Sequence, residues 1–185
     1  MDQPSTDTTD WTWVLQRQCP DCGYDSPSFN RSQLGAKVRA NASSWRQLLG
    51  RGDLVNERPP VPAGAEPRWS AVEYGAHCRD VWRLFGERFE QMLRDDDPVF
   101  RNWDQNAAAI DEQYHLADAR TVAYELAVAA GKVADLLDHL DADEWERTGG
   151  RSEGPQFTVE SMARYGLHDV VHHLWDAEQG LEALN

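Results

Sequence analysis

The densest concentration of metal-ligand side chains in the chain is Tyr165-Gly-Leu-His168-Asp169-Val-Val-His172-His173-Leu-Trp-Asp176. Two pairs within it stand four residues apart, His168 with His172 and Asp169 with His173. On a helix such pairs share a face one turn apart, so either can grip a single cation. The apolar residues around them separate the two. Val159, Ala163, Gly166, Val170, Leu174, Ala177 and Leu181 recur at helical spacing and mark a buried stripe. At about 100° per residue, Asp169 and His173 fall on the flank of that stripe beside Met162, while His172 lies further round and His168 nearly opposite. A carboxylate beside a core stripe is costly unless its charge is compensated. A cation held by Asp169 and His173 would compensate it. The pair His168 and His172 also fits the bare spacing, and a solvated His-rich face is the other reading of the stretch.

Two ligands on one helix need a partner from another element. A helix opens at Ser70-Ala-Val-Glu73, the pattern of a capping box, and continues through Val81, Leu84, Phe85, Phe89, Met92 and Leu93 to the Asp95-Asp-Asp-Pro98 stop. His77 sits one turn before Val81, on the apolar side of this helix. Two further helices complete the pattern. The first spans about Ser32 to Leu49, with Leu34, Val38, Ala42, Trp45 and Leu48 as its stripe. The third begins at an Asp118 cap and carries Val122, Leu126, Ala129, Val133, Leu137 and Leu140. Thr158 is the expected N-cap of the last. Residues 53–67 hold four prolines and read as an irregular connector, and the aromatic segment 98–117 is expected to cover one end of the assembly. No run alternates as a strand would. The expected fold is all-α, an antiparallel four-helix bundle over residues 32–185 with long connections after the first and second helices. A short irregular N-terminal arm, residues 1–31, precedes it, its first ten residues polar and loose.

The balance of charge narrows the partners. At 185 residues and a formal charge of −14, the chain suits neither nucleic acid nor an anionic membrane surface. No stretch approaches the roughly 20 apolar residues of a membrane span. The N-terminus lacks the basic and apolar regions of a signal peptide, so a cytoplasmic location is expected. Of 18 Lys and Arg residues, only Lys37 and Lys132 are lysine. This bias, with abundant Ala, Asp and Gly, suggests a high-GC genome such as an actinobacterial one.

Three cysteines are too few for a disulfide framework. Cys78 stands alone beside His77. Cys19-Pro-Asp-Cys22-Gly has the form of half a zinc ribbon, a tight turn with converging sulfurs, but no second CxxC or HxxxH follows nearby. Two free thiols or a single disulfide are the expected states. The turn, far in sequence from the helices that carry the ligands, is expected to be dispensable for any metal in the bundle.

Taken together, the helix pattern with Ala76-His77-Cys-Arg-Asp80 and Asp169-Val-Val-His-His173-Leu-Trp-Asp176 resembles the DinB-like superfamily, including its mycothiol-dependent branch related to maleylpyruvate isomerase. The likeness covers about residues 32–182. In that superfamily a histidine of the second helix and an H/E-x-x-x-H pair of the last bind a divalent metal, and the matching positions are His77, Asp169 and His173. The resemblance implies an open site for zinc, nickel or iron. It also implies metal-activated transfer of a low-molecular-weight thiol, mycothiol in an actinobacterial host, to a small electrophile, or thiol-dependent isomerisation. Asp80 and Asp176, each three residues after a histidine of the set, are placed to orient those rings. A non-catalytic metal-binding bundle, forming a homodimer around a structural or vestigial site, is the alternative.

Overall fold

The computed structural model describes residues 10–152 and 154–185. The expectation of a loose lead falls largely on residues 1–9, outside the described residues. Four long helices form the bundle: α1 (Leu34–Leu49), α2 (Ala71–Arg94), α4 (Ala119–Asp138) and α5 (Val159–Ala183), with a short α3 (Gln105–Asp111) in the connection before α4. Each cap expected at α2, α4 and α5 forms. The side chains of Ser70, Asp118 and Thr158 accept from the backbone N–H three residues on, satisfying donors that the helix itself leaves open.

Arg39 near the start of α1 bonds Asp135 and Asp138 near the end of α4, so these two helices run antiparallel. His77 on α2 faces Asp169 and His173 on α5, and Gly166 one turn before them on α5 abuts Phe85, two turns beyond His77, which makes α2 and α5 the second antiparallel pair. Arg79 and Arg83 of α2 reach Glu125 in the early part of α4, so α2 and α4 run parallel. That direction explains the long segment after α2. A chain joining parallel neighbours must travel back along the bundle.

The core is filled by Trp45, Trp82, Phe89, Met92, Leu126 and Met162, all buried. On the far side of α5 from α2, Trp45 Nε1 and Asn41 Nδ2 donate to the carbonyl of Val170 at 3.3 and 3.4 Å and fasten α5 to α1. The sequence suggested no strands, yet Thr148–Gly150 (β1) pairs antiparallel with Gln156–Thr158 (β2). These strands are three residues each, the first with two glycines, and are too short for an alternating pattern to register. No helix among the described residues is long and apolar enough to cross a membrane.

Gly166 sets how closely α2 and α5 approach. A Cβ there would stand 2.7 Å from Phe85 ring carbons, whereas one at Gly131 of α4 would meet nothing within 4 Å. Exchange of a helical glycine for alanine gains about 0.5–1 kcal/mol, and overpacking costs about 1–3 kcal/mol. Gly166→Ala is therefore expected to lower the thermal midpoint and Gly131→Ala to raise it. A differential scanning calorimetry trace with both variants shifted upward would show that the helices part without cost.

Candidate metal centre

The start of α2 is fixed one turn before His77. Glu73 Oε2 accepts from the Ser70 backbone N–H at 2.8 Å, and the Arg58 guanidinium grips both Glu73 oxygens at 2.5 and 2.8 Å. Burial would raise the Glu73 pKa, but Arg58 and Ser70 together hold it below the usual value. His77 is 1 % exposed, stacked on Trp103 with ring centroids 5.4 Å apart and edge-on to His173 at 4.8 Å.

Across from it α5 presents Asp169 and His173, as the spacing required. His77 Nε2 lies 3.8 Å from Asp169 Oδ2, and His173 Nε2 lies 3.6 Å from Asp169 Oδ1. One ligand atom from each of the three residues falls within 4.8 Å of the other two. These separations exceed a hydrogen bond. Ligand atoms held about 2.0–2.2 Å from a common ion stand roughly 3–3.5 Å apart, so a small contraction would suffice. Neither buried ring nitrogen of His77 has a hydrogen-bond partner among the described residues. An orphaned imidazole beside a carboxylate is the arrangement a cation would satisfy.

The electrostatics agree with that fit. Burial lowers the pKa of His77 and keeps the ring neutral, with a lone pair to offer. Burial would raise that of Asp169, but the adjacent His77 and His173 lower it to about 2. Asp176 Oδ2 lies 3.1 Å from His173 Nδ1 and orients that ring, as expected. Asp80 does not do the same for His77. Its carboxylate is taken by Arg79 at 2.8 Å, Arg83 at 3.1 Å and the Tyr114 hydroxyl at 2.6 Å.

Two other expectations are corrected. His168, placed opposite the stripe, is only 3 % exposed, because the segment before α1 folds back over it. Trp11 and Tyr24 pack on its ring at 5.4 and 5.5 Å. The Cys19–Cys22 turn is likewise not remote from α5, since Cys19 Sγ lies 3.7 Å from His172 Nδ1. Cys78 is buried in the core, where its thiol pKa is pushed well up by burial.

The three candidate ligands border a cavity of about 520 Å³. The side chains of Asp169 and His173 keep 34 % and 21 % exposure, so solvent reaches them. Sequence reasoning placed several of the other wall residues on helix faces but did not foresee the chemical character of the wall. Phe85, Trp103, Phe157 and Tyr165 give it an aromatic character, and Arg88 and Arg151 supply positive charge. Neither arginine forms an ion pair among the described residues, and burial, with the neighbouring Arg151, lowers the Arg88 pKa to about 10.

The sequence pattern of the DinB superfamily matches residues 7–177. The chain belongs to the DinB superfamily. The matched span thus begins ahead of Cys19. YfiT from Bacillus subtilis, described as a probable metal-dependent hydrolase with an unusual four-helix bundle topology, has a similar structure, with a TM-score of 0.67 over 80 % of this chain and 86 % of that one. At 17 % identity this likeness shows the shared four-helix bundle fold alone. No curated protein matches the sequence.

Proposed function

We propose that this DinB-superfamily protein is a metal-dependent enzyme in which His77, Asp169 and His173 hold one divalent cation beside the cavity. These residues would leave a position open for a low-molecular-weight thiol, which would lose its proton to solvent and, as thiolate, either add to a small electrophile or displace its leaving group. Bound in that place, the ion supplies acidity, lowering the pKa of a coordinated thiol until the nucleophilic thiolate forms near neutral pH. Zinc, nickel and iron all accept imidazole.

The observation that carries this reading is the cavity of about 520 Å³ against His77, Asp169 and His173, of which the last two are partly accessible. Such a volume falls in the range of small-molecule sites. A structural or vestigial ion needs no such space. The aromatic wall suits an apolar substrate body, and Arg88 and Arg151 suit a carboxylate on the thiol or on the electrophile. Mycothiol is the thiol that the family resemblance favours. The description of YfiT as a hydrolase supports a second reading, with water at the open position. Hydrolysis would want a free general base, but Asp169 is already a candidate ligand and Asp176 is engaged by His173.

The test is a titration of cobalt-loaded protein with cysteine, glutathione and mycothiol. Saturable growth of thiolate-to-cobalt charge-transfer absorption, lost in His173→Ala, is expected. Arg88→Met should weaken binding of the carboxylate-bearing thiol or substrate roughly tenfold, the worth of one charge-assisted hydrogen bond. An unchanged spectrum accompanied by ester or amide hydrolysis would replace the thiol with water. An unchanged spectrum without turnover would make the site non-catalytic.

A further inference from the structure

The chain holds a second set of ligands that the proposed reaction does not use. Cys19 and Cys22 lie on one turn, closed by a hydrogen bond from the Gly23 N–H to the Cys19 carbonyl at 3.0 Å and by another from the Cys19 N–H to the Tyr24 carbonyl at 2.8 Å. Gly23 has φ of +74°, a conformation that glycine adopts without strain. The turn is clamped to α5 on its far side. Tyr24 Oη donates to the Arg164 carbonyl at 2.8 Å, and the Arg164 guanidinium donates to the carbonyls of Ser26 at 2.7 Å and Phe29 at 3.2 Å. This docking places both sulfurs against the second i,i+4 pair of α5. One atom each from Cys19, Cys22, His168 and His172 lies within 4.8 Å of the other three.

We propose that Cys19, Cys22, His168 and His172 form a closed, structural zinc site that fastens the N-terminal segment to α5. Five observations support it independently of the first site. The ligand count is complete, and two thiolates with two imidazoles are a set that zinc binds tetrahedrally. The 3.7 Å between Cys19 Sγ and His172 Nδ1 is close to the edge of such a tetrahedron, roughly 3.6 Å for zinc bonds of about 2.3 Å to sulfur and 2.0–2.1 Å to nitrogen. His168 is 3 % exposed, yet its Nε2 has no hydrogen-bond partner among the described residues. Cys19 is fully buried, Cys22 is half-buried, and both are free thiols. Trp11 packs on both imidazoles, at 5.4 and 5.1 Å, and covers one side of the site, while His168 and His172 border the cavity on another.

The two centres would share a carboxylate. His172 Nε2 lies 3.9 Å from Asp176 Oδ2, the same oxygen that bonds His173 Nδ1. Zinc on the opposite nitrogen of His172 would fix that ring, and through Asp176 it would steady the His173 ring at the first centre. Binding displaces the proton of each thiol to solvent and leaves both sulfurs as thiolates, with no change of oxidation state.

The experiment uses the full chain purified under reducing conditions without an affinity tag. X-ray absorption at the zinc edge of wild-type protein loaded with one equivalent of zinc should show two sulfur and two nitrogen neighbours. Cobalt substitution should give tetrahedral visible bands with thiolate charge transfer before any external thiol is added. Cys19→Ser/Cys22→Ser and His168→Ala should lose that signal while the sulfur-free ion of the first centre remains. Sulfur-free zinc in the wild-type protein, or a Cys19–Cys22 disulfide formed under those conditions, would overturn the proposal. The wild-type spectra decide it even if a variant fails to fold. They also separate this site from the reaction proposed above, whose failure would leave the sulfur-ligated signal intact.

Discussion

His173→Ala should empty the centre formed with His77 and Asp169 while leaving the sulfur-ligated ion in place, and His168→Ala should do the reverse. The two histidines are only five residues apart on α5, yet they serve different partners. His173 faces His77 of α2, with ring centroids 4.8 Å apart. His168 faces the N-terminal segment through Trp11 and Tyr24. Metal analysis alone would find one equivalent lost in each variant. Cobalt spectra tell them apart, because only the second centre carries sulfur. Asp176→Asn should weaken metal at the first centre about 10–100-fold, the usual effect of removing the group that orients a ligating histidine. Loss of both ions in either variant would mean that the centres form one cooperative unit. Retention of the sulfur-free ion in His173→Ala would exclude that histidine as a ligand.

The elements that carry the first centre were legible because their signals are local. Ser70 and Glu73 cap α2 within four residues, Thr158 caps α5, and a 3.6-residue stripe fixes which face of each helix is buried. Knowing both faces is enough to set His77 opposite Asp169 and His173. The second centre depends on contacts that periodicity does not encode. Cys19 and His172 are 153 residues apart in sequence, and only the docking of Tyr24 and Arg164 brings them together. One signal was present, namely that the CxxC turn and the HxxxH at His168 and His172 together make a complete zinc ligand set. The same limitation explains Asp80. Spacing offered it to His77, but spacing could not weigh the competition from Tyr114, 34 residues downstream, or from two arginines on its own helix.

Arg58→Met is expected to destabilise the fold by about 3–5 kcal/mol at neutral pH, the scale for stranding one member of a buried ion pair. The Glu73 side chain is only 2 % exposed, and Arg58 supplies its countercharge through two hydrogen bonds. In the wild-type protein the folded Glu73 pKa lies below the unfolded value of about 4.3. Its contribution to stability is therefore fully present above that unfolded value and is lost as the pH falls through the lower, folded one. Without Arg58 the burial that opposes ionisation has no guanidinium against it, and the folded pKa moves above the unfolded value. The cost is then present at neutral pH and is relieved as the pH falls through the raised pKa. Between the wild-type and variant pKa values the difference in stability should shrink by about 1.4 kcal/mol per pH unit. Urea unfolding of both proteins from pH 7 down to pH 4 measures this directly. A difference that stays constant across that range would mean that the loss comes from packing of the Arg58 stem and not from a stranded carboxylate at the start of the helix that positions His77.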